Sequence, residues 1–352
     1  MPSLIRASTA NEIWLKARDL LWTSKERTVV KSRSGDTTEI LHATLSIEDP
    51  RQRWVLARQP VINPAFALAE AIWIIAGRND SAVLNFFNRD LSDYSGKGPE
   101  FYGAYGHRLR QQHGMDQLEL AFHALKANGA SRQVVLQIWD AETDLPSQNG
   151  LPRNPDIPCN TQSMLRIQGG KLHWLQTMRS NDLFRGLPYN LVQFTTLQEV
   201  VAGWLGLELG TYTHVVNSLH FYHSDKEKLE AFSEQVPIKN NQSLTLSWDE
   251  SKKAWQFLSE LITQASLGSG ETMTMARELD SKGIPNAHEN VANVILAEAA
   301  RRHGDVDFAF SCLNKVTNSA LRQIANASFD RSRPPRRVAK SADRSSPHRD
   351  EA

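Results

Sequence analysis

The chain is poor in cysteine, in net charge and in long apolar runs, and each shortage removes a class of protein. Two cysteines in 352 residues, Cys159 and Cys312, cannot build a disulfide framework and suit a reducing compartment. Lys and Arg number 40 against 39 Asp and Glu, a formal charge of +1, which gives no global attraction to nucleic acid or to an anionic membrane. No run approaches the roughly 20 apolar residues that span a bilayer. The first fifteen residues, broken by Arg6 and Glu12, lack a signal-peptide core. Gly268-Ser269-Gly270 leads into Glu271-Thr272 rather than Lys and a hydroxyl residue, so it is no phosphate loop. The composition agrees with a cytoplasmic protein, and no metal centre is expected.

What is present suffices for a large core. Hydrophobic residues make up 40% of the chain, in a length that suits one large domain or two ordinary ones. Val61 to Ile75 carries apolar residues at helical spacing around one acid, Glu70. Gln117 to Leu125 repeats the pattern, and Tyr189 to Leu205 is the longest clear helix. Val134 to Trp139, Met164 to Gln168, Lys171 to Met178 and Thr211 to Tyr222 are β-branched, aromatic or alternating and read as strands, with Gly169-Gly170 as a hairpin turn. Strands interleaved with packed helices predict an α+β fold, a mixed β-sheet layered with helices. Three parts follow: a catalytic domain over 1–230, a mostly helical C-terminal extension over 231–328, and a basic tail over 329–352 with too little to bury to be ordered.

The densest signal lies in the middle. Ile157-Pro158-Cys159-Asn160 is followed twenty residues later by Arg179-Ser180-Asn181-Asp182. A guanidinium beside a thiol favours the thiolate, which neither residue supplies alone. A lone cysteine is more often a small buried hydrophobe, and it is the neighbouring motifs that point away from that. Leu183-Phe184-Arg185-Gly186-Leu187-Pro188-Tyr189-Asn190, then Gly206-Leu207-Glu208-Leu209-Gly210, then His220-Phe221-Tyr222 continue the series. In that order and spacing the chain resembles the thymidylate synthase and pyrimidine-nucleotide hydroxymethylase family. Glu70, Tyr105-Gly106 with Arg108 and Arg110, and Ser131-Arg132 extend the resemblance over about residues 60 to 225.

The resemblance implies a pyrimidine nucleoside monophosphate as substrate and 5,10-methylenetetrahydrofolate as co-substrate. C5 of a uracil ring is a poor nucleophile, and adding a thiolate to C6 turns C4, C5 and O4 into an enolate equivalent. Cys159 would attack C6, Asn190 would bond the O4 and N3 edge, Arg179 and Ser180 would hold the 5′-phosphate, and Glu70 would order water for proton transfer. By resemblance alone, His220 and Tyr222 bond the sugar 3′-hydroxyl, Asp182 faces the pterin and Tyr105 relays the C5 proton. Arg132 reaches the phosphate in the neighbouring subunit of a homodimer, and Arg33, in Lys31-Ser32-Arg33-Ser34-Gly35, closes over phosphate. An amide at position 190 serves O4 and N3–H together, which favours a uridylate, with dUMP expected.

Departures from the family pattern bear on the outcome. Asn160 stands where the synthases have histidine, and Gln133 where they have a second arginine. No tryptophan lies between Trp73 and Trp139, where the synthases pack indoles against folate, and their closing C-terminal tail is not recognisable. Hydride transfer to the exocyclic methylene needs a dry, closed site, whereas water would leave a hydroxymethyl group. The expectation therefore leans to hydroxymethylation of dUMP. Reductive methylation to dTMP, a silent nucleotide-binding paralogue, and nucleic-acid binding through the Arg-rich tail are the alternatives.

Overall fold

The computed structural model describes residues 3–32 and 34–331, with only the backbone of Tyr94, Asp330 and Arg331. Seven strands form one mixed sheet: β1 (Leu4–Ala7), β2 (Thr28–Ser32), β3 (Gly35–Ile47), β4 (Val135–Gln137), β5 (Asn160–Gln168), β6 (Lys171–Asp182) and β7 (Glu208–Tyr222). Their order is β1-β3-β7-β6-β5-β4, with β2 paired to β3. β1/β3 and β6/β7 are parallel and the other pairs antiparallel.

Local chemistry explains the elements around the centre. Gly169 and Gly170 take φ of 58° and 74°, the left-handed pair that a tight hairpin between β5 and β6 requires. The parallel β6/β7 pair needs a crossover, supplied by the Leu187–Leu205 helix, which begins with Pro188 in its first turn and stops at left-handed Gly206. The Pro64–Ile75 helix is capped by Asn63, whose side chain accepts from the Ala65 and Phe66 N–H groups. Every residue of that helix is buried except Glu70. It lies against the Leu187–Leu205 helix, so the one acid in an apolar rod is directed at the seam between two helices.

The strands are longer than periodicity suggested where it matters. β5 begins at Asn160, immediately after Cys159, and β6 runs on through Arg179, Ser180 and Asp182. The Arg-Ser-Asn-Asp motif is thus strand rather than loop, and its residues alternate between the two faces of the sheet. β4 is shorter than the Val134 to Trp139 run.

From Trp248 the chain is helical through Arg331. The Trp248–Leu267, Asn286–Arg302 and Ser319–Arg331 helices contact the Pro64–Ile75 helix, and one hydrophobic cluster includes residues from Ile5 to Phe329. The segment between 231 and 247 is tied down by polar bonds: Leu244 N–H donates to Glu199 Oε1 at 3.1 Å and Asn240 N–H to Gln52 Oε1 at 2.8 Å. Burial alone would raise the Glu199 carboxyl, but Arg53 and Arg51 outweigh it and hold it below the ordinary range. Among the described residues, no helix is long and apolar enough to cross a membrane. The basic tail beyond residue 331 lies outside them.

Candidate active site

A cleft of about 380 Å³ opens where the Pro64–Ile75 helix, the loop before β5, the end of β6 and the start of the Leu187–Leu205 helix meet. Its size is in the range of small-ligand pockets, roughly 300–1,000 Å³. Glu70, Tyr105, Cys159, Ser180, Asp182, Asn190, His220 and Tyr222 all line it. Three expected residues do not. Arg179 sits beside the cleft, Arg132 is exposed ahead of β4, and Arg33 lies outside the described residues.

Arg179 holds the loop that carries Cys159. Its Nε donates to the Pro158 carbonyl and a terminal nitrogen to the Ile157 carbonyl, both at 2.9 Å, while its backbone N–H donates to the Cys159 carbonyl at 2.9 Å. The guanidinium carbon lies 5.8 Å from the Trp139 ring centroid. The thiol of Cys159 is half-buried. Asn160 beside it accepts from Gln176 Nε2 at 3.0 Å and shares a hydrogen bond with the Tyr105 phenol. Burial first, and then the charge of Cys159, push the Tyr105 pKa above its ordinary value. Gly106 explains the Tyr-Gly pair, since a Cβ there would collide with the Ile74 carbonyl at the end of the Glu70 helix.

Glu70 titrates high. Burial pushes its carboxyl up to about 7, against the lowering effect of a hydrogen bond from Gln193. Its Oε2 is buried with no hydrogen-bond partner among the described residues. Gln193 also accepts from Asn190 Nδ2 at 3.0 Å, and Asn190 Oδ1 accepts from Asn181 Nδ2 at 2.6 Å.

On the opposite wall Asp182 Oδ1 accepts from the backbone N–H groups of Phe184 and Arg185. Its Oδ2 is buried without a hydrogen-bond partner among the described residues, and His220 Nε2 stands 4.0 Å away. Burial raises the Asp182 carboxyl above its ordinary value despite those bonds. His220 and Tyr222 pack edge to face, with ring centroids 5.5 Å apart.

Among the cleft residues not assigned roles from the sequence are Asp156, Asn181, Arg185 and Gln193. Asp156 is raised by burial, opposed by the Gly103 N–H and by Ser95. Arg185 pairs with Asp225 at 2.6 Å. Only Gln193 left a readable signal, three residues after Asn190 on one helix face. Arg108, near the Tyr-Gly pair, is instead committed to the fold by a fully buried pair with Asp144 at 2.7 Å.

A second cleft, about 480 Å³, shares Phe66, Asn88, Arg185 and Tyr189 with the first and adds Arg58, Arg89, Lys228 and Arg302. Among the described residues no cluster of His, Cys, Asp or Glu could hold a metal ion.

One cleft thus brings together a thiol, a high-titrating acid and the Asn190 amide. The chain belongs to the thymidylate synthase family, whose model matches residues 22–264. It is similar to the deoxyuridylate hydroxymethyltransferase of Bacillus phage SP01, at 34% identity over 212 residues, covering 57% of this chain and 54% of the relative. The enzyme of the same name from Pseudomonas phage M6 is 38% identical over 182 residues, covering 51% and 50%. A thymidylate synthase from Symbiobacterium thermophilum is 31% identical over 191 residues, 48% of this chain and 64% of that one. The chain thus spans about half the length of the phage relatives it matches.

Proposed function

We propose that the protein hydroxymethylates C5 of deoxyuridylate through a covalent bond from Cys159 to C6. The observation that carries this reading is the lining of one cleft by Cys159, Glu70, Tyr105 and Asn190; Trp73 is the one indole among its described lining residues, and the sequence has none between residues 74 and 138.

The thiolate of Cys159 adds to C6, and Asn190 donates to O4 as negative charge gathers there. Glu70 and Tyr105 move the C5 proton, the carboxylate through an ordered water. Arg179 and Ser180 hold the 5′-phosphate while the bonds from Arg179 to the Ile157 and Pro158 carbonyls keep the thiol in place. His220 and Tyr222 take the sugar hydroxyl. When the product bond is complete, Cys159 leaves C6 and regains its thiolate.

The residues fit a reduced folate. Asp182 Oδ2, buried and unsatisfied at the cleft wall, suits a pterin N–H donor, and the adjoining cleft with Arg58, Arg89 and Arg302 suits the glutamate carboxylates. That co-substrate supplies a one-carbon unit at the oxidation level of formaldehyde. Leu84, Asn88, Leu91 and Ser95 line the wall where a packing tryptophan would exclude water, and two of them are polar enough to hold it. The relatives named deoxyuridylate hydroxymethyltransferase agree with this reading.

The active unit is a homodimer in this proposal. One face of the sheet carries the buried side chains Trp174, Gln176, Tyr212 and His214, while alternate residues such as Leu175, Thr177, Thr213 and Val215 stay half-exposed. A second copy stacked there would bring Arg132 towards the neighbouring phosphate.

The test is mass spectrometry of the nucleotide after incubation with methylenetetrahydrofolate and dUMP, dCMP, UMP or CMP. Hydroxymethyl-dUMP with tetrahydrofolate is expected. Thymidylate with dihydrofolate would make hydride the terminal donor, and no product from any nucleotide would leave a binding paralogue.

A further inference from the structure

We infer that Glu298 is a positioning residue for the folate site, standing behind the wall of the second cleft and holding Arg302 and Asn63 in place along it. This rests on the proposed folate site and deepens it, because it gives the C-terminal helices a part in binding.

Glu298 and Arg302 belong to the Asn286–Arg302 helix, beyond residue 264 where the match to the family ends. Four positions apart on that helix, they pair through Glu298 Oε1 and Arg302 Nε at 2.6 Å. The same oxygen accepts from Asn63 Nδ2 at 3.0 Å. The Asn63 amide has only this direction, because its Oδ1 accepts from the backbone N–H groups of Ala65 and Phe66, which can only donate. Arg301 completes the cluster, with two nitrogens on Glu298 at 2.7 and 2.8 Å. Burial would push the Glu298 carboxyl up, yet the two arginines outweigh it and hold it below the ordinary carboxylate range. Every group in this cluster therefore has a donor or acceptor role fixed by its chemistry.

Glu298 itself is buried and borders neither cleft among the described residues, whereas Asn63 and Arg302 both border the second, beside Phe87 and Asn88. Arg302 gives one hydrogen from each terminal nitrogen to the carbonyls of Phe86 and Phe87. These end the Ser81–Phe87 helix and have no acceptor role left within it. One N–H on each terminal nitrogen of Arg302 remains for an anion in the cleft. Asn63 caps the helix that carries Glu70, and its backbone N–H donates to the Tyr189 hydroxyl at 3.2 Å. Removing the Glu298 carboxylate would free Arg302 from its fixed direction and loosen the wall at Phe87 and Asn88. Cys159, Ser180 and Asn190 stand on other elements, so the loss should fall on the folate and spare the nucleotide.

Calorimetry separates the two ligands, with dUMP titrated into the protein alone and tetrahydrofolate, which carries no one-carbon unit to react, titrated into protein saturated with dUMP. Glu298→Ala should weaken tetrahydrofolate about tenfold, the worth of one misplaced hydrogen bond to a charged group, and change dUMP by less than about twofold. Arg302→Met should also weaken tetrahydrofolate, and adding Glu298→Ala to it should cost little more, because Glu298 acts through Arg302. Melting curves establish that each variant is folded. Should Glu298→Ala fail to fold, Glu298→Asp decides, since it keeps the charge but draws the oxygens back by one methylene, and it should weaken tetrahydrofolate while sparing dUMP. Unchanged tetrahydrofolate binding in the folded Glu298 variant overturns the inference. Equal weakening of both ligands, the mark of a merely structural role, overturns it too, as does full additivity with Arg302→Met. Wild-type protein that binds neither dUMP nor tetrahydrofolate overturns the proposed function itself, a distinct result.

Discussion

The backbone N–H of Arg179 donates to the carbonyl of Cys159 at 2.9 Å, while the side chain of the same arginine reaches past it to the carbonyls of Ile157 and Pro158. One residue on β6 therefore fixes the loop that ends in Cys159, the proposed nucleophile. Cys159→Ala should lower turnover by roughly a thousandfold or more yet leave dUMP binding largely intact in calorimetry. Arg179→Ala should weaken both, because it removes the phosphate anchor and loosens the thiol's loop. Turnover retained in Cys159→Ala would end the covalent mechanism.

In the proposed mechanism Glu70 would make the reaction pH-dependent. Its carboxyl is pushed up to about 7 by burial, and as a proton acceptor it works only when ionised. The rate should therefore climb as pH rises through about 7, and Glu70→Gln should lose that limb along with most activity. Stability moves the opposite way. The folded pKa lies above the unfolded value near 4.5, so the native state binds more protons between these two pH values. The stability associated with Glu70 is complete below about 4.5 and declines as pH rises to about 7. Melting temperatures of wild type and Glu70→Gln at pH 5 and pH 8 should show the smaller pH effect in the variant.

Much of this architecture was legible because the chemistry-bearing motifs are contiguous. Helices around Glu70 and after Asn190 followed from apolar spacing, and Gly169-Gly170 announced its hairpin. The long strand β3 went unseen. Thr38 and Ile40 are buried before His42, and Ala43, Leu45 and Ile47 after it. His42 has φ of 58°, which shifts the alternation by one and hides the period of two. Asn181 and Asp156 were equally hidden, since their partners Asn190 and Gly103 come from other elements. No sequence spacing encodes such meetings.

Arg108 and Asp144 are both fully buried and paired through two nitrogens. Arg108 also donates to the carbonyls of Tyr102 and Ile138, so it ties the loop before the Tyr105–Arg110 helix to the residue that follows β4. Arg108→Ala should cost about 3–5 kcal/mol, the usual penalty for stranding one charge of a buried pair. Denaturant unfolding measures it. A loss under 1 kcal/mol would mean that water reaches Asp144 readily.

Arg132 is exposed three residues ahead of β4 and does not line the cleft of its own subunit among the described residues. In the proposed homodimer it serves the neighbour. Cys159→Ala and Arg132→Ala proteins should each be inactive or nearly so, and a mixture refolded together should regain about a quarter of wild-type activity, the share expected from one intact site in half of randomly mixed dimers. No recovery would assign Arg132 to the surface of a single subunit.

Leu84, Asn88, Leu91 and Ser95 line one wall of the cleft, and in the proposed reaction that wall would decide between water and hydride. Asn88 follows the Ser81–Phe87 helix, and its side-chain oxygen accepts from the Asp90 N–H at 3.3 Å, an exposed-side bond whose loss is minor. An indole at 88 would fill the space beside the cleft that Phe66, Tyr189 and Arg185 also border. Asn88→Trp should therefore exclude water from the cleft and raise the thymidylate fraction of product, at a lower total rate. Product analysis by mass spectrometry reads both terms at once. A fall in rate with no change in the product ratio would place the water elsewhere, and the acid at position 156, held against Gly103 and Ser95, would be the next residue to replace.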